Sequence, residues 1–99
     1  MESKNITCEN SVEKRLVTEG ERVGGWCLKL PAIHNAGLPD RLCLFPGGEV
    51  VFVELKAFGK KPRKIQTLMH QKLKAMGFRV EVIDTTMGCK MLALEYDRK

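Results

Sequence analysis

Residues 37–56 read GLPDRLCLFPGGEVVFVELK, and this stretch decides the fold. Leu42-Cys43-Leu44-Phe45 and Val50 to Leu55 are apolar runs on either side of Pro46-Gly47-Gly48, a tight-turn composition, so together they predict a β-hairpin. Val50-Val51-Phe52-Val53 is the most apolar run in the chain and predicts an interior strand covered on both faces. Side chains alternate along a strand, so Glu54 and Lys56 share one side about 7 Å apart, while Val53 and Leu55 take the other.

A carboxylate and an ammonium at the end of such a strand are costly to bury unless each finds a partner. Closing the hairpin brings Asp40, at the start of the first strand, beside Glu54 at the end of the second, about 5 Å across the ladder. Two acids converging there repel unless a positive charge joins them, and their oxygen donors suit a hard divalent ion, Mg²⁺ or Mn²⁺. Asp40, Glu54 and the backbone carbonyl of Leu55 are the expected metal ligands. Lys56 stands next to them, where the neighbouring carboxylates oppose a role as base and favour positioning and charge stabilisation.

Outward from the hairpin, Trp26-Cys27-Leu28-Lys29-Leu30 predicts a preceding strand, set off from a first helix by Gly24-Gly25. That helix is expected to start at an Asn10 cap, with Glu13 at the third position and Val12, Leu16 and Val17 as its inward stripe up to Gly20. Residues 1–9 are expected to be a flexible terminus and 10–99 one domain. Lys29, flanked by apolar residues, is either a charge that protects a sheet edge or a group aimed at phosphate. After the hairpin, Lys56, Lys60, Lys61, Arg63 and Lys64 place five positive charges within nine residues. Pro62 is expected in the first turn of a second helix, whose Ile65, Leu68, Met69, Leu73 and Met76 form an apolar face up to Gly77, with Met69 and Met76 in the core. The free N–H groups of that first turn, with Lys60, Lys61, Arg63 and Lys64, can hold a phosphate backbone. Phe78 to Ile83 alternates as a strand, with Arg79 and Glu81 solvated, and Lys90 to Glu95 reads as a last strand. The predicted fold is α/β with a mixed central sheet flanked by helices, in the order α-β-β-β-α-β-β.

Ninety-nine residues, 43% of them hydrophobic, provide one core and not two. A net charge of +5 favours a polyanionic partner. Cys8, Cys27, Cys43 and Cys89 are spaced too widely for a paired-cysteine zinc or redox motif, and the polar Met1-Glu2-Ser3-Lys4-Asn5 opening is no signal peptide. Reduced thiols in a cytoplasmic compartment are expected, with Cys27 and Cys43 as small core residues. No run approaches the length that spans a membrane.

Gly37-Leu38-Pro39-Asp40, thirteen residues, Glu54-Leu55-Lys56, nine residues and then Gln66 together resemble the VRR-NUC (virus-type replication-repair nuclease) family of the PD-(D/E)xK nuclease superfamily. The similarity extends to Gly24-Gly25, Lys29 and the Leu73 to Gly77 helix end. The resemblance implies a restriction-endonuclease-like core and a metal-dependent endonuclease with Asp40, Glu54, Lys56 and Gln66 as catalytic residues. It also implies Glu13 as a further acid from the first helix, where the residues alone read equally as a capping box, and Lys29 as a DNA contact. Gln66 would orient Lys56 or the water, with His70 one turn further along the same side. His34, in the loop before Asp40, is a candidate substrate contact. Related sequences tend to carry a basic residue just before Gly37, and Asn35-Ala36 departs from that pattern. Small stand-alone members imply a homodimer that resolves four-way DNA junctions. Flap or nicking cleavage is the neighbouring alternative. A non-catalytic basic nucleic-acid-binding module is the alternative from another class.

Overall fold

The computed structural model describes residues 9–31 and 37–97; His34 lies outside them. Its elements, in chain order, are α1 (Glu9–Arg22), β1 (Trp26–Lys29), β2 (Arg41–Phe45), β3 (Glu49–Leu55), α2 (Lys64–Ala75), β4 (Arg79–Ile83) and α3 (Thr86–Leu94). The strands form one sheet in the order β1-β2-β3-β4. β1 with β2 and β2 with β3 are antiparallel, and β3 with β4 is parallel. Parallel neighbours need a crossover, and α2 supplies it.

The hairpin forms as its sequence dictates: Arg41 pairs with Val53 and Phe45 with Glu49, and Gly47 and Gly48 turn the chain at positive φ. Alternation along β3 then divides the molecule. Val51, Val53 and Leu55 face a core with Val12 and Leu16 of α1, Cys27, Cys43 and Phe45 of the sheet, and Cys89, Leu92 and Ala93 of α3. Val50, Phe52 and Glu54 face the other way, toward α2. Only part of that second face is covered, because Val50 and Phe52 are half-buried and Trp26 is 62% exposed.

Four expectations are corrected. α1 is already under way at Glu9 and runs through Gly20 to Arg22, so Asn10 lies inside the helix and does not cap it. Lys90 to Glu95 forms no strand, because most of it belongs to α3. Thr85 caps this helix by accepting the Gly88 N–H at 3.0 Å, and Cys89, Leu92 and Ala93 are buried at helical spacing against α1. α2 begins at Lys64 rather than at Pro62, and the face it buries consists of Gln66, His70 and Leu73. Ile65, Leu68 and Met76 are exposed and Met69 is half-buried. Finally, Arg79 is not simply solvated. It donates to Glu81 at 2.8 Å, to both Glu95 oxygens at 2.7 and 3.0 Å and to the Tyr96 hydroxyl at 2.9 Å, while Tyr96 stacks on Phe45. This clamp fastens the end of α3 to the sheet.

Cys27, Cys43 and Cys89 are free and buried, as expected for Cys27 and Cys43. The Cys27 and Cys43 sulfurs are 3.0 Å apart across the β1/β2 ladder. Among the described residues no helix is long and apolar enough to cross a membrane.

Candidate active site

The sheet ends at Asp40 and Glu54, next to the helix that joins β3 to β4. Gly37 sets the approach. At φ +92° its backbone lies so close to α2 that a Cβ would sit 2.8 Å from the Ile65 carbonyl oxygen, so any side chain there would push the loop off the helix. Three residues on, Asp40 is fixed twice. Its main-chain oxygen accepts the Leu30 N–H at 2.8 Å, and its side-chain Oδ2 accepts the Leu55 N–H at 2.7 Å. The side chain therefore reaches across the hairpin to the backbone that follows Glu54.

Glu54 is 1% exposed, an unusual environment for a carboxylate. Among the described residues, three polar side chains approach its oxygens. Gln66 Nε2 donates to Oε2 at 2.8 Å, Lys56 Nζ lies 3.6 Å from the same oxygen, and His70 Nε2 lies 3.4 Å from Oε1. Burial pushes the Glu54 carboxyl up to about 7, the negative charge of Asp40 adds to the effect, and Lys56 opposes it. Asp40 and Glu54 thus act on each other electrostatically. Glu9, at the start of α1, contributes further negative field at Glu54. Burial lowers the His70 imidazole, with Lys74 and Lys56 adding to the effect, so the ring tends to be neutral.

Gln66 holds Glu54 in a defined orientation because its other end is also occupied. Its Oε1 accepts the Arg63 N–H at 2.8 Å, capping the start of α2, which directs the amide nitrogen at Glu54. This is half of a capping box, since the Arg63 guanidinium has no acceptor with which to return the bond.

Asp40, Glu54, Lys56 and Gln66 are therefore brought together. Glu13 is engaged elsewhere. Its Oε2 accepts from Arg41 Nη2 at 2.7 Å and from Nε at 3.1 Å, and Lys29 Nζ is 3.9 Å away. Arg41 also donates to the Cys27 carbonyl at 2.9 Å, tying α1 to both β1 and β2. Lys60, Lys61, Arg63 and Lys64 are exposed on the segment leading into α2, which Asp84 helps to fix by accepting the Gly59 N–H at 3.1 Å. Among the described residues no group of three or more His, Cys, Asp or Glu side chains is gathered to hold a metal, so the acids at the sheet end remain a pair.

Sequence reasoning missed three features. Arg41's hold on Glu13 depends on how α1 crosses the strands, and the influence of Glu9 depends on the helix starting before Asn10. His70 was expected one turn from Gln66 on the same side, as their four-residue spacing requires, and only its contact with Glu54 went unread.

No family model matches the sequence. A protein named "Putative nuclease p44", from Acyrthosiphon pisum secondary endosymbiont phage 1, is 43% identical over 77 residues, covering 78% of this chain and 83% of that protein. A solved structure described as a VRR_NUC domain superposes with a TM-score of 0.80 at 30% identity, over 89% of this chain and 96% of that one.

Proposed function

Since the chain belongs to the VRR-NUC family of nucleases, we propose that it is a divalent-metal-dependent endonuclease that hydrolyses phosphodiester bonds in DNA, acting as a homodimer on four-way junctions. The observation that carries this reading is Glu54, a carboxylate held in near-complete burial and under the negative field of Asp40. A cation would relieve both penalties. The donor set fits one, because Asp40, Glu54 and the Leu55 carbonyl offer only oxygen, the preference of Mg²⁺ and Mn²⁺. Glu13 would join them only by giving up Arg41.

A bound ion would supply neutralisation of the phosphate and a lower pKa for its water. Lys56 holds an ammonium 3.6 Å from Glu54, where it orients the nucleophilic water and offsets charge developing on the phosphate. Gln66 keeps Glu54 in place. The exposed Lys29, Lys60, Lys61, Arg63 and Lys64 follow the DNA backbone on either side of the scissile bond. One chain carries one such acid pair, and cutting two strands of a junction needs two, hence the homodimer. Free buried thiols fit a reducing cytoplasm.

The test is incubation of the full chain with Mn²⁺ and labelled four-way, flap and linear DNA. Metal-dependent cutting, fastest on the junction and reduced at least a hundredfold by Lys56→Ala, supports the reading. Preference for flaps or single nicks moves the substrate to those structures. Retarded but uncut DNA makes the protein a binding module. Sedimentation of an active enzyme as a monomer at micromolar concentration removes the paired-incision model.

A further inference from the structure

We propose that His70 is a positioning residue for Glu54: with Gln66 it grips the two carboxylate oxygens from one helix and so sets the direction in which Glu54 meets a cation. The inference rests on the metal-dependent reading above. It starts from an oddity of α2. Burying apolar surface is the main favourable term in helix packing, yet this helix turns Gln66 and His70, 7% and 6% exposed, toward the sheet and leaves Ile65, Leu68 and Met76 in solvent. Rotation by one residue, about 100°, would exchange polar for apolar side chains along part of that face. The rotation observed is the one that brings two polar side chains, one turn apart, onto Glu54.

Each takes a different oxygen. Gln66 Nε2 donates to Oε2 at 2.8 Å, and His70 Nε2 stands 3.4 Å from Oε1. A carboxylate held at one oxygen can still swing about that bond, whereas one held at both cannot. Lys56 does not supply the second hold, because it approaches Oε2, the oxygen already bonded to Gln66. Against an ionised Glu54 the proton of His70 resides on Nε2 and is donated to Oε1, leaving Nδ1 as the acceptor nitrogen. Covered as it is, His70 does not reach the substrate and acts through Glu54. Partners of this kind behind a metal ligand typically change metal affinity or activity 10- to 100-fold when removed.

Two polar variants separate this role from mere packing. The amide nitrogen of His70→Gln can stand where Nε2 stands and still reach Oε1; that of His70→Asn stops near the position of Nδ1. Mn²⁺ binding to the full chain without DNA is measured by calorimetry, alongside the Mn²⁺ concentration for half-maximal cleavage of the branched substrate, with circular dichroism to verify folding. Expected for His70→Asn is a 10- to 100-fold loss of Mn²⁺ affinity and a matching rise in the half-maximal concentration, with turnover at saturating Mn²⁺ and metal-free DNA binding within about threefold of wild type. His70→Gln should recover Mn²⁺ affinity to within about threefold. Wild-type Mn²⁺ affinity in His70→Asn overturns the inference and leaves the nuclease reading intact, as does equal loss in both folded variants. A wild-type chain that binds no Mn²⁺ removes the metal reading and this inference with it.

Discussion

The two faces of the sheet are built from the same strands and do opposite work. Toward α1 and α3, β3 presents Val51, Val53 and Leu55 to a closed layer of aliphatic side chains, thiols and Phe45. Toward α2 it presents Val50, Phe52 and Glu54, and the helix covering that side buries a glutamine and a histidine. At the end of β3 both faces are closed, so Val53, Glu54 and Leu55 are all buried in succession. The first face stores stability, and the second uses some of it to hold a carboxylate where water would otherwise be. Natural proteins depart from consistent patterning where function requires it, and here the departure coincides with the acid pair.

If that division is right, the largest effect should be on activity alone. Asp40→Asn keeps an oxygen that can accept the Leu55 N–H, so the hairpin should remain folded while one negative charge is lost. Cleavage of the preferred DNA in Mn²⁺ is expected to fall by two to three orders of magnitude, about 3–4 kcal/mol of barrier, with little change in the thermal midpoint. A large drop in stability would mean that the two faces are not separable at Asp40.

The converse substitution is Leu16→Ala, on the closed face, where Leu16 is fully buried. Truncating such a side chain costs about 2–5 kcal/mol, read as a lower denaturant midpoint. Per folded molecule, metal-dependent cutting should stay close to wild type. Activity lost in proportion to stability is the expected pattern; specific activity lost before unfolding would show that α1 acts on the site through more than packing.

The hairpin was legible because Pro46-Gly47-Gly48 and the apolar runs beside it leave little choice of register, and the placement of Asp40 opposite Glu54 followed from it. α3 was not legible. Its nine residues are too few for periodicity to distinguish a helix from a buried strand, and Gly88 obscures the Thr85 cap. The orientation of α2 failed for another reason. Hydrophobic counting selects Ile65, Leu68 and Met76 as the inward face, and it must fail when the buried face is polar. Asp40, Glu54, Lys56 and Gln66 could be picked out by spacing and resemblance. Arg41 and Glu9 could not, because their relation to the acids arises only when α1 lies across the sheet.

Glu54 gives the comparison a dependence on pH. Its carboxyl is raised from 4.5 to about 7, so in metal-free protein the folded state holds the proton more tightly than the unfolded chain does. Its contribution is therefore fully present below about pH 4.5 and lost as pH rises through about 7, amounting to roughly 3 kcal/mol if the whole shift is realised. His70 has the opposite sign. Its lowered basicity makes folding less favourable as pH falls below its ordinary value of 6.5, so the two partly cancel where they overlap. The difference between wild type and Glu54→Gln isolates the first effect: the variant should gain stability relative to wild type between pH 5 and 8, and the difference should shrink when Mn²⁺ is added. A flat difference across that range would mean that Glu54 is better solvated than its burial implies.

The smallest effect, and the one that divides a single residue between the two roles, concerns Gln66. Its Oε1 caps α2 at Arg63 and its Nε2 holds Glu54, so truncation removes a structural bond and a site bond together. Gln66→Ala should lower stability by about 1 kcal/mol, the usual worth of a helix cap. Gln66→Glu distinguishes the two bonds, because an ionised glutamate can still accept the Arg63 N–H but turns an acceptor toward Glu54 in place of a donor. At pH 8 without metal this variant should therefore be less stable than the alanine variant, and acidification to pH 5 should reverse the order as protonation restores a donor between the two carboxyl groups. Equal stability of the two at both pH values would mean that the bond from Gln66 to Glu54 carries no weight, and that α2 is held in its unusual rotation by His70, Leu73 and the loop at Gly37.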